Sequence, residues 1–148
     1  YRVTHMVDNS PVIRDGGLIA DGGPAPPEFV TPDDLQSAAE TPGVDRRMAF
    51  ETENNAMVQS RVAGNTATDW HHHGDRHVYI YVVEGSGVLE YGPDGDQRLE
   101  GTAPLFVQIP PGIVHRDTNP ADTEQVSIIN FVGSGPLVVN VDGPTASE

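Results

Sequence analysis

The sequence predicts an all-β fold, an antiparallel sandwich or barrel of which the jelly roll is one form, preceded by a turn-rich arm. Three observations predict it. From Arg47 onward short apolar or alternating runs recur; Gly, Pro, Asn and Asp separate them; and almost nothing in that stretch reads as helix. Many short strands joined by tight turns bury one face each by packing sheet on sheet or by closing on themselves.

The elements follow in order. Residues 1–46 are rich in turn formers, among them Asp15-Gly16-Gly17, Asp21-Gly22-Gly23 and Pro24-Ala25-Pro26-Pro27. They are expected to form an arm with little regular structure, packed on the domain or on a partner subunit, although the first dozen read equally as a disordered leader. Within the arm, Thr31 as N-cap and Pro32 at the first helical position predict a short helix near 32–40, ending before Pro42. The barrel is expected over 47–148, with strands near 47–51, 56–62, 69–73, 77–84, 87–91, 97–100, 105–109, 114–118, 125–132 and 137–140. Glu84-Gly85-Ser86-Gly87 and Gly92-Pro93-Asp94-Gly95-Asp96 mark two of the turns between them.

Length and composition narrow the function. The chain has 148 residues, enough for one domain with its own core. Cysteine is absent, which removes disulfides, thiolate zinc sites and cysteine nucleophiles. No run approaches the roughly 18 apolar residues that span a bilayer, and the N-terminal stretch lacks the basic start and apolar middle of a signal peptide, so a cytoplasmic protein is expected. The 22 Asp and Glu outnumber 8 basic residues, all arginine, for a net charge of −14. Such a surface repels phosphates and anionic lipid, and neither nucleic acid nor membrane is expected as a partner. The same acidity suits a halophilic source, where molar salt shrinks the Debye length to about 3 Å, or an acidic mesophile. Phosphate-binding glycine loops, the dinucleotide fingerprint and the nucleophile elbow are all missing.

The chemistry concentrates in histidine. Five of the 6 histidines fall between positions 71 and 115, four of them in Trp70-His71-His72-His73-Gly74-Asp75-Arg76-His77. On a strand His71 and His73 share one face and His72 takes the other, so the pair can reach one metal ion; neutral imidazole suits zinc, iron, nickel or copper. A solvated histidine cluster at a sheet edge is the bland alternative. The second stretch is Ile109-Pro110-Pro111-Gly112-Ile113-Val114-His115-Arg116-Asp117-Thr118-Asn119, in which the proline-glycine turn presents His115.

These two stretches resemble the motifs of the cupins. Pro110, Gly112, His115 and Asn119 match the second cupin motif at every spacing, and His71, His73 and Gly85 look like the frame of the first; about 18 residues lie between Gly85 and Pro104. The resemblance covers roughly residues 47–140 and implies an antiparallel double-stranded β-helix, with His71, His73 and His115 on one divalent transition metal (Fe, Ni, Zn, Mn or Cu). The departures are informative. Pro104 stands where the second motif has a leading Gly, with Gly101 three residues earlier. Six residues separate Gly64 from His71 where the family has five, which leaves open an inward Trp70 and His72.

The family's Glu ligand is missing. Four residues after His73, leaving a three-residue gap, comes His77, while the spacing back from Gly85 points to Val78. His77 is the favoured fourth ligand, turned inward by a bulge, with Val78 as the alternative. An ion held by neutral ligands alone keeps its +2 charge and favours an anionic or chelating substrate. If His77 faces the cavity, Tyr79 and Tyr81 follow it there as candidate catalytic groups, although strand tyrosines commonly serve a core or interface. Asp117 is a candidate acceptor for His115, with Asp69 and Gln108 behind it; Arg116 and Glu84 read as surface residues.

The resemblance implies dioxygenases, isomerases, decarboxylases and lyases as precedents. An enzyme acting on a small chelating or anionic molecule, dioxygenase-like, is the first expectation; a metal-dependent isomerase, decarboxylase or lyase and a non-catalytic binding module with a structural metal are the others. A homodimer is expected, through the arm or the apolar tail around Leu137-Val138-Val139.

Overall fold

A computed structural model describes residues 25–145. A 3-10 turn, Pro32–Asp34, leads into twelve strands among the described residues: β1 Gln36–Ser37, β2 Asp45–Thr52, β3 Asn55–Val62, β4 Thr66–Ala67, β5 His71–His72, β6 His77–Glu84, β7 Ser86–Tyr91, β8 Gln97–Thr102, β9 Leu105–Ile109, β10 His115–Asn119, β11 Gln125–Val132 and β12 Val139–Asn140. One sheet runs β1-β2-β3-β11-β6-β9, the other β12-β5-β10-β7-β8 with β4 also on β10, and every pairing is antiparallel.

Alternation builds the core. β3 and β11 pair along eight residues, and their inward sets include Ala56, Val58, Ile129 and Phe131, all buried; Val78 and Ile109 complete the cluster. Phe131 is fully buried. Turn chemistry sets the register where side chains could not. Gly85 closes the β6–β7 turn with φ +87, and a Cβ there would lie 2.6 Å from the Glu124 carbonyl oxygen, so only glycine fits. Gly112 takes φ +77 in the turn before β10, and its N–H donates to the Gly74 carbonyl at 2.9 Å, tying the two histidine-bearing stretches together.

Two expectations for the arm change. The helix near 32–40 shrinks to the single 3-10 turn, because Leu35 is already extended and Gln36–Ser37 pairs with Arg47 and Met48 of β2; the Thr31 side chain meets the Asp34 carboxylate and caps no backbone N–H. Sheet pairing won over a weak local helix signal. The sheet also begins before Arg47: Gln36–Ser37 belongs to it, and β2 starts at Asp45. Masses of turn formers before residue 25 lie outside the described residues. The expected strand at 69–73 shortens to β5, His71–His72; β4, Thr66–Ala67, lies before that range, and both pair with β10.

Candidate metal centre

Three histidines meet because the sheet brings them into register. His71 on β5 stands directly opposite His115 on β10, and residues so paired project to one face a few ångströms apart. His73, two positions on, shares the face of His71. The ring centroids lie 4.4 Å apart for His71 and His115, 5.0 Å for His73 and His115 and 5.1 Å for His71 and His73. One ring nitrogen of each lies within 4.8 Å of the other two. Phe131 supports the group from below, its ring 5.1 Å from that of His73.

Backbone carbonyls decide which nitrogen faces the centre. Nδ1 of His71 donates to Asp69 O at 2.8 Å, Nδ1 of His73 to Leu137 O at 2.8 Å, and Nδ1 of His115 to Ile113 O at 2.9 Å. A carbonyl can only accept, so each Nδ1 carries the hydrogen, and each neutral ring keeps its lone pair on Nε2. Relative exposures of 1%, 5% and 1% keep the rings out of bulk water. Burial lowers the His71 pKa to about 3 and that of His73 to about 2, the neighbouring imidazoles adding to the effect. Three buried rings with converging Nε2 lone pairs, of which His71 and His73 stay neutral at any moderate pH, suit a divalent transition metal. Three protein ligands are the number that leaves coordination positions open.

The side chains that the sequence assigned to the same site divide sharply. Along β6, Val78 is 1% exposed and lines the cavity with Ile80 and Val82, whereas His77, Tyr79 and Tyr81 turn to the outer face. His77 is therefore not the fourth ligand. Its Nε2 lies 3.0 Å from Gln108 Oε1 on the neighbouring strand, and its ring stacks on Tyr79 at 4.7 Å. Tyr79 and Tyr81 are 46% and 38% exposed, and Tyr81 packs against Phe106, so neither hydroxyl reaches the cavity. The physical reason is parity: β6 opens with no bulge at His77, and its irregularity comes at the far end, where the pairing shifts between Val126 and Ser127 and leaves Val83 as the extra residue. Val78 takes the position of the missing Glu. Trp70 and His72 also stay off the inward face; Arg116 lies over the Trp70 ring at 4.8 Å and pairs with Glu90 at 2.7 Å.

Two groups beside the triad escape a search for ligands. Arg46 on β2 is 4% exposed, and its Nη2 lies 3.4 Å from His71 Nε2. Its position carried a parity signal, since Arg46 and Met48 alternate inward at the start of β2, opposite Ser60 and Val58, but buried arginine is rare enough that the signal is easily passed over. Asp117 does share the cavity-facing side of β10, yet its Oδ2 lies 4.0 Å from His71 Nε2 and the Nδ1 of His115 belongs to Ile113. It is thus a carboxylate facing the centre and not a support behind a ligand. Asp69 contributes its backbone carbonyl and not its side chain.

The centre opens on a cavity of about 280 Å³ between the two sheets, walled mostly by aliphatic side chains such as Val78, Ile80, Val88, Leu89 and Ile129. A ligand enclosed here is small, with an apolar body and a polar end at the histidines. No helix of the described residues is long and apolar enough to cross a membrane.

No family model and no curated protein matches the chain. Solved structures do. The polyketide cyclase RemF from Streptomyces resistomycificus is similar with a TM-score of 0.65 and 22% identity, over 82% of this chain and 87% of that one. Oxalate decarboxylase from Bacillus subtilis, described with Mn(II) centres, is similar with a TM-score of 0.61 and 19% identity, over 72% of this chain; the chain spans 30% of the length of that enzyme. With two antiparallel sheets closed around a cavity and three histidines on its wall, this chain has the fold of the cupin superfamily.

Proposed function

We propose that the chain binds one divalent transition metal through Nε2 of His71, His73 and His115 and acts as an enzyme on a small chelating or anionic molecule, dioxygenase-like in the first reading. The observation that carries this is the set of three buried, carbonyl-oriented imidazoles opening on an apolar cavity. When bound, such an ion supplies Lewis acidity and open positions for a chelating substrate. The chain's own residues do the rest: carbonyls hold the rings in one tautomer, the aliphatic wall excludes water, and Arg46 and Asp117 place one charge of each sign beside His71.

A second reading, a metal-dependent isomerase, decarboxylase or lyase, draws support from Asp117. A carboxylate facing the centre can accept or return a proton in chemistry that needs no oxygen. One experiment separates the two. The full chain, purified without a tag, is analysed for metals and then mixed with 2,4-pentanedione and with small 2-oxo acids in an oxygen electrode. Stoichiometric iron, nickel, copper or manganese with oxygen uptake supports the first reading. Solvent deuterium entering the probe without oxygen uptake supports the second, and a chain that takes up no metal at all removes both.

We also infer a homodimer. Phe106 is 82% exposed beside Tyr81, and β9 is the last strand of its sheet, so a second copy can cover the patch and continue the pairing across a two-fold axis. Two copies at −14 each repel, so dimerisation should strengthen as salt rises. Light scattering should give twice the chain mass at moderate salt, and Phe106→Asp should return it to the monomer; a wild-type chain that stays monomeric at high salt would end this inference.

A further inference from the structure

The two buried arginines of the described barrel are used in opposite ways. Arg76 is 6% exposed and spends its guanidinium on carbonyls, Nε and Nη2 on Gly135 and Nη1 on Phe131. It fastens the loop after β11, with each of its three nitrogens on a backbone carbonyl. Arg46, at 4% exposed, gives Nη1 to Thr41 Oγ1 at 2.9 Å and to Ala39 O at 3.3 Å, while Nη2 has only the long approach to His71 Nε2. Among the described residues no carboxylate comes within ion-pair distance of it; Asp117 acts on it only through space. A buried cation without a paired anion costs free energy, and the cost is relieved when an anion arrives. Of the described residues lining the cavity, Arg46 is the only one with a fixed positive charge.

Nη2 also points at the nitrogen whose lone pair a metal would take. With a metal on His71 Nε2, this N–H would lose its weak acceptor and would be free to donate to another group in the cavity. We propose that Arg46 is the second anchor of the substrate: the ligand is a small carboxylate or enolate with an apolar body, one oxygen donor on the metal and the anionic oxygen held by the Arg46 guanidinium. This rests on the metal reading above and adds the group that selects charge. Guanidinium suits the task because its planar fork meets two oxygens at once.

The probes are 4-methyl-2-oxopentanoate and its neutral amide, titrated into the full chain loaded with Co(II) and followed by the visible spectrum and by calorimetry. Arg46→Gln should weaken the acid by about tenfold to a hundredfold, the range a charged hydrogen bond carries, and leave the amide within about threefold. Arg46→Lys should recover part of the preference. Equal weakening of both probes, or an acid affinity that does not move, overturns the proposal. Cobalt stoichiometry is read first and separately: a wild-type chain that takes up no Co(II) fails the metal reading, whereas one that binds Co(II) but ignores the acid-to-amide change at Arg46 fails this proposal alone. Should Arg46→Gln not fold, the wild-type chain loaded with Zn(II) and labelled with 15N-arginine gives the same answer. The Arg46 side-chain signals should shift on adding the acid and stay in place with the amide; acid binding without that shift rejects the assignment.

Discussion

His115→Ala should leave the chain without stoichiometric metal, lowering its affinity for Zn(II) or Co(II) by more than the roughly 10–100-fold typical of losing a group that only supports a ligand. The reason is geometric. His115 is directly opposite His71 in the sheet and is 1% exposed, and its Nδ1 is fixed on Ile113 O, so no other side chain on β10 can bring a lone pair to the same point. Asp117, the nearest alternative donor on that strand, lies 4.0 Å from His71 Nε2 and is not grouped with the ring nitrogens of His71 and His73. The metal-free variant should also lose about 1–3 kcal/mol of stability, since the Ile113 carbonyl is left without its ring donor. Metal content by elemental analysis and competition with a chelator measure the first effect; urea unfolding measures the second. His77→Ala serves as the companion. Its ring is on the outer face with Gln108 and Tyr79, so metal content should not change. A loss of metal in His77→Ala equal to that in His115→Ala would contradict the placement of β6.

That pair of variants tests the point at which sequence reasoning misjudged a face. Strand positions were largely legible: β6, β9 and β11 occupy 77–84, 105–109 and 125–132, because alternation with clear turn residues at both ends leaves little freedom in the boundaries. Parity was harder. On β6 one face reads His77, Tyr79, Tyr81 and the other Val78, Ile80, Val82, and the chemistry-bearing set attracts attention to itself. The aliphatic set is the one a core prefers, and the spacing back from Gly85 already pointed to Val78. A bulge at His77 would have reversed the outcome, but bulges depend on how neighbouring strands pair, which no local run of residues states.

The same limit applies to what surrounds the histidines. Nothing near Arg46 in sequence announces a site, since His71 is 25 residues away and only the return of β2 alongside β3 delivers the guanidinium to it. Asp117 was legible as a residue on the face of His115, but its role was not: the neighbours of Nδ1 are backbone carbonyls whose positions follow from turns, and these free the carboxylate to face the cavity. Residue type and spacing therefore located the ligands, while long-range pairing located the charges that tune them.

Acid should destabilise the metal-free chain well before its carboxylates begin to titrate. His71 and His73 are held neutral in the fold, first by burial and then by the adjoining imidazoles, with pKa values lowered from 6.5 to about 3 and about 2. Below pH 6.5 the unfolded chain binds protons at these two positions that the folded chain refuses, so stability falls as pH falls; above pH 6.5 both states are neutral and the effect vanishes. Two such groups give a slope of up to about 2.7 kcal/mol per pH unit, and a loss of about 4 kcal/mol between pH 7 and pH 5. Ordinary domains have about 5–15 kcal/mol in total, so this single pair should bring the protein close to unfolding at pH 5. Carboxylates ordinarily titrate near pH 4, below that window, which keeps the signal separable. Urea unfolding of the metal-free chain at pH 7, 6 and 5 measures it. His73→Leu should remove about half of the slope whatever it does to stability at pH 7, because slope counts protons and not contacts. A profile that stays flat from pH 7 to pH 5 would mean that the rings of His71 and His73 accept protons in place, and with that the argument for these two as permanently neutral donors would fail.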